Sequence, residues 1–563
     1  MTAPDVVSPP VPVDRPPRSS ATLVVIRDTA EGLEVLLCRR AERGDHNSGA
    51  WVFPGGLVDP GDRAGHPSCA GLDDRTASAR LGIAEGGLDF YVAAVRECFE
   101  ESGQLFARRD GAAELVQLDV EAAARLAPWR IALHRCERSV GELCAAFGLS
   151  LAVDRLVYLS HWITPRGRLK RFDTRFFIAA APPMQTALHD GTEMLEQRWM
   201  RPADALHESA ALKLLTPTQK TLELLGRFTN VERVLEWASA DRDIRVTTPR
   251  IASGSQGMRP VVPDEPAYAE LGRIDPDGSG NHSYEINPGK PVRLSPRVIR
   301  VTANNGSVMT GPGTNTYLVG GGTENEWAVI DPGPLDERHV QAVLAAAPGP
   351  IRWIFATHTH TDHSPATPAL QAATGARVHG RVAAYREWQD ASFAPDVVLE
   401  GGERFALPGG TTLRAIHTPG HASNHICYLL EEEKTLFTGD HVMQASTVVI
   451  NPPDGDMAAY VASLRDLLDE DLEWLAPGHG FLMAEPRRAM EWIIAHRLRR
   501  EAKVVAALRA HGPATLEALL PTVYDDVPPR MHPMALRSLK AHAGKLLTDG
   551  VATEADGRWW LKG

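Results

Sequence analysis

The chain has 563 residues, more than one hydrophobic core accommodates, which predicts two or three domains. Its formal net charge of -12 excludes a surface that coats nucleic acid everywhere, so any contact with RNA or DNA requires a local basic patch. Six cysteines without a Cys-x-x-Cys pair favour a reducing compartment, and no apolar run reaches the roughly 18 residues of a membrane span. We predict a cytoplasmic protein.

The N-terminal part begins with a predicted disordered tail, residues 1–19, which is rich in proline and lacks the apolar core of a signal peptide. Apolar runs at residues 22–26 and 33–38 follow, and a polar turn with Gly32 separates them. Such runs are typical of two neighbouring strands. We place the first folded domain at residues 20–238.

An acidic helix is predicted at residues 96–105. On a helix Glu97 shares a face with Glu100 and Glu101, which lie three and four residues further on. Three carboxylates on one face repel one another unless a cation lies between them, and oxygen ligands suit Mg²⁺ or Mn²⁺. The alternative is a solvated acidic helix face.

This helix resembles the second half of the Nudix hydrolase box, whose fixed positions fall on Arg96, Glu97, Glu100, Glu101, Gly103 and Leu105. The first half departs from the box, because Asp62 stands where a glutamate is usual and an insertion separates the two halves. An insertion at this place resembles the one in the coenzyme A diphosphatase-like Nudix subfamily. Further segments similar to that subfamily are 36–41, 53–56, 161–165 and 171–177.

The resemblance implies a Nudix α/β/α sandwich that cleaves a pyrophosphate with Mg²⁺ or Mn²⁺. Glu97, Glu100 and Glu101 would bind the metal, and Glu97 and Glu100 would be catalytic. The substrate would be a nucleoside diphosphate derivative or a coenzyme A ester. Glu193 is a further candidate ligand or base.

Residues 239–295 are predicted to be a linker. Eight prolines and six glycines fall within residues 249–296, and apolar periodicity is lost there.

The strongest chemical signal in the chain is the stretch from Thr357 to His363, which follows an apolar, strand-like run at residues 351–356. Three histidines and an aspartate occur within six positions, His358, His360, Asp362 and His363. Histidine nitrogens and aspartate oxygens are Zn²⁺ ligands, and side chains two apart on an extended chain share a face. We predict a metal site here.

Three more candidate ligands follow apolar, strand-like runs in glycine-containing loops. They are His421, Asp440 and His479. Functional residues collect in such loops at one edge of a sheet. His417 and His425 flank the first of them and are expected to make local hydrogen bonds instead.

This constellation resembles the metallo-β-lactamase superfamily and, because aspartate stands at 440, its glyoxalase II and ribonuclease Z branch. The resemblance implies an αββα sandwich at residues 296–485 that holds two Zn²⁺ ions, with Mn or Fe as alternatives. His358, His360 and His421 would hold one ion, and Asp362, His363 and His479 the other. Asp440 would bridge the ions, and Asp331 would orient the cluster.

The same resemblance implies hydrolysis by a metal-bridged hydroxide, because a water shared by two cations loses much of its proton affinity. Asp362 and Asp440 would be the catalytic carboxylates.

Residues 486–563 predict a long basic helix, two further helices and a strand pair, the pattern of a winged helix. The segment 530–548 contains Arg530, Arg537, Lys540 and Lys545 and no acid, a local basic patch. With the preceding domain, this region resembles the β-lactamase-like 2 family, which includes an animal member that cleaves single-stranded RNA. The bland alternative is a winged helix that only packs or dimerises.

The sequence therefore predicts an α+β multidomain protein with two hydrolase sites. The leading substrate for the second site is single-stranded RNA. The alternatives are a thioester, as in glyoxalase II or acyl-coenzyme A hydrolysis, and a non-catalytic scaffold that senses nucleotides or RNA.

Overall fold

A computed structural model describes residues 16–42, 48–168, 170–186, 188–322, 324–444 and 446–562. The chain divides into two compact units. The first ends at Ile251, and the second begins at Ala252. Residues 1–15 of the predicted tail lie outside the described residues, and the first strand begins at Arg18. Among the described helices, none combines the length and apolar character that crossing a bilayer requires.

The described residues of the first unit up to Thr247 form ten strands. They are β1 (Arg18–Thr29), β2 (Gly32–Arg40), β3 (Trp51–Val52), β4 (Gly55–Leu57), β5 (Ala107–Arg109), β6 (Leu149–Leu151), β7 (Val157–Ile163), β8 (Phe172–Ala180), β9 (Met194–Met200) and β10 (Val246–Thr247). Its helices are α1 (Pro60–Ala64), α2 (Asp74–Leu81), α3 (Gly87–Ser102), α4 (Val120–His134), α5 (Val140–Phe147), α6 (Pro202–His207), α7 (Thr216–Leu225) and α8 (Val231–Ser239).

A mixed sheet forms the centre of this unit, with the strand order β10-β7-β8-β1-β2-β3. Strand β4 pairs with β1, and β9 pairs with β2. The central strands β1 and β8 are parallel. Both are apolar and largely buried, as is usual for parallel strands. Helix α3 packs on this sheet, and Tyr91 and Val95 lie in the shared core. It ends where Gly103 adopts a φ of 74° and donates its N–H to Phe99.

The second unit contains most of the remaining strands in two sheets. The first sheet has the order β13 (Val292–Arg293), β14 (Val298–Thr302), β15 (Asn315–Gly321), β16 (Glu326–Ile330), β17 (Ile351–Phe355), β18 (Arg377–Gly380) and β19 (Val397–Val398). The second has the order β20 (Arg404–Leu407), β21 (Thr411–His417), β22 (Ile426–Leu430), β23 (Thr435–Gly439), β24 (Trp474–Pro477) and β25 (Met483–Ala484). A short pair, β11 (Arg250–Ala252) and β12 (Arg259–Val261), precedes them.

The two sheets pack face to face around one core. Tyr317 and Phe355 come from the first sheet, and Tyr428 and Phe437 come from the second. Helices cover the outer faces: α10 (Glu337–Ala346) and α11 (Thr367–Thr374) lie on the first sheet, and α12 (Met457–Leu467) and the start of α13 (Pro486–His511) on the second. The result is the predicted αββα sandwich.

The C-terminal region forms the predicted winged helix. Its elements are the end of α13, then α14 (Leu516–Val523), α15 (His532–Thr548), β26 (Ala552–Ala555) and β27 (Arg558–Leu561). Leu508, Leu519 and Leu539 lie in its separate core.

The segment predicted as a linker contains regular structure. Besides β11–β13 it forms a helix, α9 (Tyr268–Ile274), and its Ala252, Val261 and Leu271 share a small core. The division between the compact units falls within the predicted linker, and the precise domain bounds given above stay a prediction.

Candidate metal centres

The predicted ligands of the second unit, and the orienting residue Asp331, follow the ends of five strands. Asp331 follows β16, the stretch 357–363 follows β17, His421 follows β21, Asp440 follows β23, and His479 follows β24. The pairs β16–β17 and β23–β24 are parallel, which brings the carboxyl ends of each pair to the same edge of its sheet. The fold thereby gathers predicted ligands that are up to 121 positions apart, 479 minus 358.

The first group of side chains is formed by three histidines. The Nδ1 of His360 lies 3.0 Å from the Nε2 of His358 and 3.0 Å from the Nε2 of His421. Three ring nitrogens this close converge on one point, which suits a metal ion.

The second group contains Asp362, His363 and His479. The Oδ2 of Asp362 lies 3.4 Å from the Nε2 of each histidine. Asp440 stands between the two groups: its Oδ1 is 3.2 Å from His479 and 3.4 Å from His363, and its Oδ2 is 3.7 Å from His421. The side chains therefore form two groups of possible metal ligands, and one carboxylate contacts both.

The histidine rings are held by hydrogen bonds on the side away from the cluster. The Nδ1 of His421 bonds to the carbonyl of Val449 at 2.9 Å, and the Nδ1 of His479 bonds to the carbonyl of Gly313 at 3.2 Å. A carbonyl only accepts, so each Nδ1 carries a proton, and the ring nitrogen that faces the cluster is Nε2. Asp331 fixes His363 in the same way, 2.9 Å from its Nδ1.

The cluster has the properties of a cation site. The Nε2 of His363 and the Oδ1 of Asp440 are buried and have no hydrogen-bond partner among the described residues. Burial lowers the pKa of His360 to about 3, which leaves its ring neutral for ligation. Burial opposes the charge of Asp440, yet His479 and His363 hold the pKa of its carboxyl well below the usual value. Although burial opposes it, the facing carboxylates Asp362 and Asp440 raise the pKa of His363 well above its usual value and that of His479 to about 9. This end of the cluster therefore favours positive charge, which a bound cation would supply.

Sequence reasoning missed several groups that hold this cluster. Thr314 donates to the Oδ2 of Asp362 at 3.1 Å, and Asn315 donates to the carbonyls of Pro477 and Gly480 on either side of His479. Both residues lie where β15 begins. His417 and His425 make local hydrogen bonds, to Ser423 and Thr418.

The predicted carboxylates of the first unit lie on one face of α3, around an arginine. The guanidinium of Arg96 contacts Asp62 at 2.7 Å, Glu97 at 2.8 Å and Glu100 at 3.3 Å. Glu101 accepts the N–H of Gly55 at 2.8 Å. The repulsion between these acids, which predicts a cation among them, is thus relieved in part by the positive charge of Arg96.

Three carboxylates share this one guanidinium, and Glu101 adds a fourth that interacts electrostatically with Glu97, so negative charge remains in excess. Burial raises the pKa of Glu100 to about 7 and raises that of Glu101 well above its usual value. A divalent cation would relieve this repulsion, so the residues fit Mg²⁺ or Mn²⁺. Glu193 acts electrostatically on both Glu97 and Glu101.

A Cβ on Gly56 would lie 2.5 Å from the carboxylate of Glu97, so a larger residue there would displace that carboxylate. In the described part of the chain, tight groups of three metal-ligand atoms occur in the second unit alone.

Fold and site together define a metal-dependent hydrolase with two compact units. Family models match in the same order along the chain. The NUDIX domain matches residues 16–66, the NUDT19 Nudix domain 73–224, the metallo-beta-lactamase superfamily 309–479, and the beta-lactamase associated winged helix domain 515–559.

The curated proteins that are similar to this chain include two that each match 48% of it. An atrochrysone carboxyl ACP thioesterase of Aspergillus chevalieri is 34% identical over 89% of its length, and a beta-lactamase-like protein 2 homolog of Drosophila melanogaster is 30% identical over 95%. The metallo-beta-lactamase family protein TTHA1429 of Thermus thermophilus is 22% identical, with a TM-score of 0.41 and coverage of 48% of this chain and 100% of that one. The chain belongs to the metallo-β-lactamase superfamily and carries a Nudix hydrolase domain ahead of it.

Proposed function

We propose that the second unit hydrolyses an acyl thioester, with acyl-coenzyme A or an acyl carrier thioester as the substrate class. The observation that carries this proposal is an exposed apolar segment beside the histidine cluster. Val382, Tyr385 and Trp388 are 49%, 47% and 51% exposed on the loop that follows β18. Exposed large apolar side chains close to a polar site favour a substrate with an apolar part.

Backbone contacts tie this loop to the ligand-bearing loops. Asp390 donates its N–H to the carbonyl of Thr359 at 2.6 Å, between His358 and His360. Ala384 donates its N–H to the Oγ of Ser423, two residues after His421. Residues 382–388 contain one arginine and one glutamate, so the segment offers an apolar surface without the positive charge that a polyanion needs.

The proposed ligands are His358, His360 and His421 for one Zn²⁺ and Asp362, His363 and His479 for the other, with Asp440 shared. Bound divalent cations would supply a water of lowered pKa and would polarise the thioester carbonyl. Asp362 is the more exposed acid of the cluster, with 24% of its side chain exposed against 12% for Asp440. Thr314 holds Asp362, which can orient the attacking water by accepting its hydrogen bond.

The leaving group also favours a thioester. Hydrolysis forms a C–O bond and breaks the C–S bond, and the sulfur departs as a thiolate that takes up a proton from water. A thiolate is a good leaving group, since the pKa of a free thiol is about 8.5, and the site therefore needs no strong general acid. The similarity to a protein named as an ACP thioesterase supports the same substrate class.

Single-stranded RNA is the second candidate, because the winged helix exposes cations. Arg530, Arg537 and Lys540 form no ion pair within the described residues. The basic patch is smaller than the sequence predicts, because the charge of Lys545 is paired with acids. Its ammonium contacts Glu501 at 3.1 Å and Asp549 at 2.6 Å. On α13, Arg500 and Lys503 pair with Asp526 and Asp525.

A parallel assay of the full chain separates the two substrates. We expect release of free thiol from acyl-coenzyme A at a rate that the double substitution Arg537→Ala and Lys540→Ala leaves unchanged, because these cations lie on the winged helix. Cleavage of labelled single-stranded RNA without thiol release would contradict the thioester proposal. The matched control replaces Arg488 and Lys503, two cations already engaged in ion pairs, with alanine.

For the first unit we propose Mg²⁺- or Mn²⁺-dependent cleavage of a pyrophosphate in a nucleoside diphosphate derivative or coenzyme A ester. Glu97, Glu100 and Glu101 are its proposed ligands. Two sites acting on coenzyme A species would be consistent with the cytoplasmic location that the composition favours.

A further inference from the structure

Helix α9, in the segment predicted as a linker, carries a deeply buried carboxylate. Glu270 is 2% exposed and binds the guanidinium of Arg300 through two contacts of 2.5 and 3.0 Å. It also accepts the backbone N–H of Leu482 at 2.8 Å. Burying two charges costs free energy unless both are well hydrogen-bonded. The several hydrogen bonds of Glu270 and Arg300 offset that desolvation cost.

The partners of Glu270 belong to the loop that carries His479. Arg300 donates to the carbonyl of Gly480, one residue after His479, and Leu482 closes the same loop. Gln444 holds the loop as well: it accepts the N–H of Phe481 at 2.9 Å and donates to the carbonyl of Pro266, in the turn before α9. The backbone that follows His479 is therefore fixed from the side of α9.

A second ion pair anchors α9 away from the cluster. Arg273 contacts Glu433 at 2.6 Å, near the start of β23, whereas the cluster lies beyond the end of that strand. The helix is thus attached at both ends of the second sheet, and only the Glu270 attachment reaches a proposed ligand loop. Arg300, Glu270 and Pro266 all lie before residue 309, where the match to the superfamily model begins.

We propose that Glu270 is a positioning residue of the metal centre, which sets the loop of His479 so that its Nε2 faces Asp362 and Asp440. This inference rests on the proposed role of His479 as a ligand. Groups that orient metal ligands through hydrogen bonds typically change metal affinity about 10- to 100-fold when they are removed. Residues 266–300 then belong to the metallohydrolase itself, although the sequence predicts most of them to be a linker.

The test compares Glu270→Gln and Glu270→Ala with Glu433→Gln in the full-length protein. Glutamine keeps the shape of the side chain, and Glu433→Gln removes an ion pair of the same helix that does not reach the His479 loop. Zinc is titrated into each protein after chelation, and amide hydrogen exchange is followed in the peptide that spans residues 477–484. Thermal unfolding is recorded to show that each variant is folded.

In both Glu270 variants we expect one of two zinc-binding steps to weaken by about tenfold or more, the other step to stay as in the wild type, and the 477–484 amides to exchange faster. Glu433→Gln should leave all three unchanged. Glu270 variants that bind two zinc ions with wild-type affinity would overturn the inference and leave the proposed hydrolase intact. Equal weakening of both steps would assign Glu270 to general stability. A wild-type chain that binds no zinc would remove both proposals.

Discussion

Replacing Asp440 with alanine should reduce thioester hydrolysis by the second unit about a thousandfold or more, because paired cations supply several kcal/mol of transition-state stabilisation. The physical reason is the position of its carboxylate. One oxygen lies within 3.4 Å of His363 and His479, and the other lies 3.7 Å from His421. No other acid among the described residues touches both ligand groups, so the loss should extend to both proposed ions.

The measurement is the rate of thiol release from acyl-coenzyme A, together with the metal content of each protein. Asp396→Ala is the matched control, since Asp396 caps the edge of the same sandwich by accepting from Val378 and Gln371. We expect that control to retain wild-type activity. Thiol release that survives in Asp440→Ala would show that the reaction takes place elsewhere.

Replacing Glu100 with glutamine should remove Mg²⁺-dependent pyrophosphate cleavage, with a loss of at least about a hundredfold, and should leave thioester hydrolysis unchanged. Glu100 is 4% exposed and shares Arg96 with Asp62 and Glu97. Glutamine keeps the size of the side chain but removes one negative charge from the excess that would attract the cation.

Both activities are measured on the same preparations, with phosphate-ester products read for the first unit and free thiol for the second. Glu34→Gln is the control, because Glu34 is a paired glutamate of the same unit that contacts Arg27 on the sheet surface. Loss of both activities in Glu100→Gln would contradict two independent sites.

The fold and the central cluster were accessible from sequence because their signals are local. Each proposed ligand of the second unit stands directly after an apolar run, and carboxyl ends of parallel strands meet at one edge of a sheet. The residue types and spacing of His358, His360, Asp362 and His363 alone predict a metal site. The order of the loops then supplies His421, Asp440 and His479, and the structure brings all seven side chains together.

The residues that support the two sites could not be predicted from the sequence, because each acts through a contact with a residue far away along the chain. Glu270 and Leu482 are separated by 212 residues, and proline and glycine around Glu270 mask the helix it occupies. Lys545 belongs to a basic segment, but its neutralising partner Glu501 lies two helices earlier, on α13. Arg96 likewise matches a motif position without revealing that Asp62, across the insertion, completes its contacts.

The number of transition-metal ions that copurify with the full chain tests the two-ion centre most directly. Elemental analysis of gently purified protein should find about two such ions per chain, because structural and catalytic His/Asp sites of this kind retain their metals. Substituting His360 with alanine should lower that number. A value near zero in the wild-type chain would contradict a dinuclear centre at the His358–His363 stretch.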